Sequence, residues 1–394
     1  MEEWKEYRLG DIIAIKSGFA YKGDMIGYGE NVLLGMGCVS FKERFLMSGA
    51  RAYAGDCADR YCANSGDIVL ATRQQSDNLP ILGMPAIIPN ELREKRIIIG
   101  ANLYRVDNES DFSNEYIYWL LKTPLYVNHI RSCQSGTTVR MITKANIEDF
   151  KFKAPNRKER DCISFFLKSI DDKIEVNRRI NDNLEQQAQA LFKSWFVDFE
   201  PFRDQPFVES ELGMIPKGWR VYCLSDFLPV ITGKKDANVA KGGPYPFFSC
   251  SQDFGWTDNY SFEGCAILIA GNGDFNVKMY SGKFEAYQRT YVLIPYNPNY
   301  TAWLYYAVKY HLNNITSAAR GSVIKFITKG NLADFMFPAP SNLEKVKIIE
   351  AFDCIRKNIS SIEKESRRLA KLRDTLLPRL MSGELKVNEI ENAI

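Results

Sequence analysis

Two stretches of this chain repeat each other in helical phase, and that repeat limits the fold more than any other feature. Between Lys158 and Phe196, apolar residues fall at Leu167, Ile170, Ile174, Leu184, Ala188, Leu191 and Trp195, in steps mostly of three and four that keep one helix face apolar. Leu343 to Leu380 carries Phe352, Ile355, Ile359, Leu369, Leu376 and Leu380, each 185 positions after its counterpart. The chain therefore reads as a tandem duplication in which both halves end in a long helix.

The ends of the two halves match as well. Trp4, Tyr7, Leu9, Asp11 and Ser17-Gly18 lie 215 positions before Trp219, Tyr222, Leu224, Asp226 and Thr232-Gly233. GDIVLAT (Gly66 to Thr72) and GCAILIA (Gly264 to Ala270) are strand-length apolar runs at an offset of 198. GTTVRMITKANIEDFKFKAP (Gly136 to Pro155) lies over GSVIKFITKGNLADFMFPAP (Gly321 to Pro340) at 185. The first half thus carries 30 extra residues between its landmarks. A common frame with different filling suits two modules doing the same job on different targets.

Each half shows short β-like runs broken by Gly, Pro and Asn, plus one helical segment, Asn114 to Val127 or Thr301 to Leu312. The expected fold is α+β: two pseudo-repeated globular modules, 1–155 and 201–340, separated by long-helix spacers, 156–200 and 341–394. Prolines 201, 206 and 216 predict an extended linker over Glu200 to Trp219, and Lys386 to Ile394 lacks periodicity and is expected to fray. If the second helix packs on the first it returns towards the first module, giving an antiparallel coiled-coil rod and a pseudo-twofold axis. A helix of about 38 residues is roughly 57 Å long. Asn177, Asn181 and Ser366 interrupt the apolar seam and are expected to fix its register.

At 394 residues, 45% of them apolar, the chain can bury two or more cores. A net charge of +3 confines any nucleic-acid surface to local patches. Nine cysteines without a Cys-x-x-Cys pair, and two separated histidines, His129 and His311, argue against a zinc site or a disulfide framework; reduced thiols point to the cytoplasm. The charged start MEEWKEYRLGD and the lack of a long apolar run predict neither signal peptide nor membrane span.

Catalytic patterns are scarce. Gly233-Lys234 lacks the earlier glycine of a phosphate loop, and Gly271-Asn272-Gly273 reads as a tight turn. Asn297-Pro298-Asn299-Tyr300 departs from the Asn-Pro-Pro-Tyr of amino-methyltransferases and also reads as a turn, while Asp11 and Asp226 read as caps. No metal or catalytic residue is expected.

Cations are more informative. Arg140 faces Lys325 and Lys144 faces Lys329 across the repeat, with Arg131 and Arg320 nearby and no acid in either loop. Such groups suit phosphate oxygens. The simpler alternative is that Thr143 and Thr328 cap short helices and the cations are solvated. Base-reading candidates lie in the unmatched middles: Arg73, Gln74, Gln75 and Asn78 in the first half, and Asn272, Asn276 and Lys278 in the second. Gln134, Thr137, Thr138, Ser322, Lys234 and Lys235 join them, because Arg pairs with guanine and Asn or Gln with adenine in the major groove.

LFKSWFVDFEP (Leu191 to Pro201), LGMIPKGW (Leu212 to Trp219) and LLPRLMSGEL (Leu376 to Leu385) occur in the order module, helix, module, helix. Together they make the whole chain resemble the specificity subunit of type I restriction-modification systems. The resemblance implies a non-catalytic subunit whose two target-recognition domains each read half of a bipartite site on double-stranded DNA. It implies helices that dock two adenine-N6 methyltransferase subunits, with restriction subunits, two where they join, completing the assembly. S-adenosylmethionine, and ATP with magnesium, would then belong to the partners. Trp195, Phe196, Phe199, Leu376, Leu377 and Leu380 exceed what one helical seam requires and are the expected docking surface, unless they pack within the chain. The alternatives are a stand-alone DNA methyltransferase or nuclease, and a purely structural coiled-coil adaptor.

Overall fold

The computed structural model describes residues 4–74, 80–136, 139–273, 275–317, 326–343 and 347–387. The chain forms two compact units, residues 1–175 with 366–394, and residues 176–365.

Each unit is closed by pairing the beginning of its module with the end. Lys5–Arg8 runs antiparallel to Lys151–Ala154, and Trp219–Cys223 antiparallel to Met336–Pro340. These are the segments the repeat matched, and their cross-strand hydrogen bonds explain why both ends were kept. A short 3-10 turn follows in each, Leu9–Asp11 and Leu224–Asp226, with Leu9 and Leu224 fully buried. Asp226 accepts the Cys223 N–H at 2.8 Å, as a cap should, whereas Asp11 pairs with Arg8 at 3.6 Å.

In the first unit Ile13–Ser17, Leu103–Asn108, Ile68–Ala71 and Pro85–Ile87 form an antiparallel sheet in that order. In the second unit Val230–Thr232, Thr290–Leu293 and Phe262–Ala270 repeat the first three places, and Val277–Ala286 takes the fourth. The two apolar runs matched in the sequence thus hold the same sheet position. Gly18 and Gly233 pass so close to a neighbouring strand end that a Cβ would lie 2.1 Å from the carbonyl oxygen of Gly100 or Tyr287, so no side chain fits there.

The additions differ. The first unit has a second sheet, Ala50–Tyr53, Ile26–Leu34, Ile97–Ile99 and Cys62–Ala63, whereas the second unit extends its main sheet with Tyr245–Phe248 and Gly255–Thr257.

The helices are α1 (Asn114–Leu120), α2 (Pro124–Cys133), α3 (Lys144–Glu148), α4 (Arg157–Phe196), α5 (Thr301–Tyr310), α6 (Leu312–Ser317), α7 (Lys329–Ala333) and α8 (Lys347–Ser382). The single helix expected over Asn114 to Val127 is two, because Thr123 caps a new start with Pro124 in its first turn. The expected linker also folds: Phe207–Ser210 pairs with Gly213–Pro216 as a hairpin, with Gly213 turning at φ 94° and prolines 206 and 216 at its ends. Prolines bar helix there but permit the ends of a two-stranded ribbon.

Both long helices run through the boundary between units, so each gives one half to each core. In the first unit Ile163 and Leu167 of α4 and Leu376, Leu377, Leu380 and Met381 of α8 join Tyr116, Trp119, Phe150 and Phe152. In the second unit Ala188, Phe192 and Phe196 of α4 and Ile349 and Phe352 of α8 join Trp219 and Trp303.

Polar cross-links set the helix register. In the second unit Asn177, 1% exposed, donates to Glu365 at 2.8 Å, and Glu185 accepts from Arg356 at 3.2 Å. The α4 index rises while the α8 index falls, so the two segments are antiparallel. Glu185 also accepts from Lys309 at 2.5 Å and Tyr306 at 3.0 Å, tying α5 to both. In the first unit Asp171 accepts from Arg373 at 2.5 Å. Burial alone would raise the Glu185 carboxyl, but Lys309 and Arg356 hold it below its ordinary value.

Glu185→Gln should destabilise the second unit by about 3 kcal/mol at neutral pH, because Lys309 and Arg356 lose their counter-charge. A carboxylate with a lowered folded pKa stabilises above its unfolded value and loses that contribution as pH falls through the folded one. Denaturant unfolding of wild type and variant should therefore converge as pH falls below about 4.

Candidate nucleic-acid interface

In the first unit the strand Ile68–Ala71 continues through Thr72 into Arg73–Gln74, which pairs antiparallel with Arg140–Met141. Met141 stands opposite Arg73, and both are exposed. The next residue, Ile142, is buried; its N–H donates to the Thr72 carbonyl at 3.2 Å, and its own carbonyl accepts from the Tyr104 hydroxyl at 3.2 Å. Thr143 then caps α3 in a capping box with Asn146. Lys144 opens that helix, its ammonium 5.9 Å from the Tyr104 ring centre.

The second unit repeats this geometry. Asn272 forms an antiparallel bridge with Phe326, the Ile327 N–H donates to the Gly271 carbonyl at 3.1 Å, and Tyr291 donates to the Ile327 carbonyl at 2.9 Å. Thr328 caps α7 in a capping box with Asn331, and Lys329 lies at its start, exposed. Asn272, Gln288, Arg289, Tyr291 and Phe326 line a cleft of about 410 Å³. The threonines therefore serve as caps, and the cations beside them are displayed by the helix starts.

The other predicted readers divide. Arg73, Lys234 and Lys235 are exposed, and Asn272 is half-buried at the cleft. The Gln288 N–H bonds the Lys235 carbonyl at 2.9 Å, which sets the lysine pair beside that cleft. Gln134 and Arg140 are 3.5 Å apart in a side-chain contact. Three candidates serve the fold instead. Gln74 is buried and accepts the Leu82 N–H at 3.4 Å. Asn276 is buried and donates to the Cys250 carbonyl at 2.9 Å, and Lys278 donates to the Ser251 carbonyl at 2.5 Å and to Asn276 at 2.7 Å. Burial lowers the Lys278 pKa. Gln75, Asn78, Thr137, Thr138, Arg320, Ser322 and Lys325 lie outside the described residues.

Sequence reasoning missed Gln288 and Arg289, which hold the place of Ala101 and Asn102 in the first unit but share no residue type with them: the Gly271 N–H bonds the Arg289 carbonyl at 2.9 Å as the Thr72 N–H bonds that of Asn102 at 3.1 Å. It also missed Met141 and Phe326, which are matched apolar positions between a cation and a buried isoleucine.

The expected docking residues are a correction. Phe196, Leu376, Leu377 and Leu380 are buried in the chain's own cores. Trp195 and Phe199 are half-buried, against Phe202 at 5.5 Å and Trp219 at 5.3 Å. The apolar excess at the helix ends is taken up by the modules: the last turns of α4 enter the core of the second unit, and those of α8 the core of the first. Among the described residues no cluster of three metal-binding side chains occurs, and no helix is long and apolar enough to cross a membrane.

A model of the type I restriction modification DNA specificity domain matches residues 1–186 and 216–371. The EcoDI type I restriction enzyme specificity subunit of Escherichia coli is 37% identical over 44% of this chain, a match spanning only 40% of that protein. The HindI specificity subunit of Haemophilus influenzae is 26% identical over 98% of this chain and 100% of its own length. The crystal structure of a type I restriction-modification S subunit from M. genitalium has the same fold, with a TM-score of 0.57 at 16% identity over 96% of both chains. With the family's model matched in both repeats, the chain belongs to the type I restriction-modification specificity subunits.

Proposed function

We propose that this specificity subunit reads a bipartite site on double-stranded DNA, one half-site per module, and has no catalytic activity of its own. The observation that carries the reading is the repeated display: Arg73, Arg140 and Lys144 in one unit, and Asn272, Arg289 and Lys329 in the other, stand around the same pinned isoleucine. The frame is shared while the displayed side chains differ, which is what two readers of different sequences require. Two adenine-N6 methyltransferase subunits dock on the chain and bring S-adenosylmethionine. Restriction subunits, two where they join, bring ATP and magnesium. The long helices set the spacing between half-sites. The assembly works in the cytoplasm.

Purified chain alone should neither methylate nor cut DNA, and should direct site-specific methylation once a methyltransferase subunit is supplied. Methylation or cleavage by the chain alone would favour a stand-alone enzyme, and no footprint with the methyltransferase present would favour a structural adaptor. Arg140→Ala and Lys325→Ala should weaken binding at all sequences alike, each lowering the salt slope by about 0.9. A changed base preference would assign them to base reading. Matched insertions between Asn177 and Ala188 and in the facing part of α8 should change the tolerated spacer and leave the half-sites unaltered.

A further inference from the structure

A single exposed Met or Phe on a protein surface is ordinary. Met141 and Phe326 are not independent cases, because they hold the same position of the repeat and are 42% and 44% exposed. Each precedes an isoleucine that is at most 3% exposed, and each sits on backbone fixed by the same bonds: the isoleucine N–H to a strand-end carbonyl and its carbonyl to a tyrosine hydroxyl. The threonine cap of the following helix holds the other side. Two modules whose middles diverge therefore keep one bulky apolar side chain on a backbone held in the same way.

Its surroundings are cationic and polar. Arg73 stands directly across the strand pair from Met141, and Asn272 across from Phe326, with Arg289 lining the same cleft. Directly opposed residues of an antiparallel pair share a face. An apolar tip beside such groups matches a base step flanked by phosphates, since proteins that unstack DNA do so with Phe, Leu, Ile, Met or Pro.

Resting on the DNA-specificity reading, we propose that Met141 and Phe326 are wedges, each inserted at one base step of its own half-site and unstacking it. Bases are then read by the polar groups beside an opened step, and the two modules deform the duplex at separate places.

The test uses the full chain with its methyltransferase subunits on duplexes carrying 2-aminopurine at each half-site position other than the methylated adenine. Wild type should raise the fluorescence at one step in each half-site. Met141→Ala should abolish the rise in one half-site only and Phe326→Ala in the other only, each weakening specific binding about tenfold with the salt slope unchanged. Met141→Leu and Phe326→Leu should retain the rise. Tight binding by wild type with no rise at any step, or a rise surviving in both alanine variants, overturns the wedge and leaves the bipartite reading intact. Failure of the wild-type complex to bind any duplex overturns both.

Discussion

Neither module closes its core without the long helices. Leu167, Leu376 and Leu380 lie among Trp119, Phe150 and Phe152 in one unit, and Phe192, Phe196 and Phe352 lie among Trp219 and Trp303 in the other. Removing such side chains from water is the main favourable term in folding, so halves of two distant helices are committed to each module. The heptad-like phase of the sequence follows from this double duty. Polar links at Asp171 and Glu185 then select one register among those an apolar seam alone would allow.

On that support the modules carry one display device twice. A strand end, an isoleucine held at both its N–H and its carbonyl, and a threonine-capped helix start bring cations to the surface at fixed positions. Changing the side chains around this device alters what is read without altering how it is held.

Much of the frame was legible because it obeys local periodicity. The offsets of 215, 198 and 185 match segments that pair in the same way in both units, and the long helices span nearly their expected residues. What was illegible depends on tertiary contacts. The hairpin over Phe207–Pro216 hides behind prolines that fit an extended linker equally well. Leu376, Leu377 and Leu380 read as docking residues because a sequence shows that a side chain is apolar and not what covers it. Asn276 and Lys278 read as base contacts because polarity does not reveal that a loop's carbonyls already engage them.

Mapping methylated adenines in cells that carry this chain with its methyltransferase tests the central claim most directly. Two unlike half-sites separated by a gap of constant length and indifferent sequence are the predicted result. A single uninterrupted motif, or a palindrome with identical halves, would contradict two differently furnished readers on one chain.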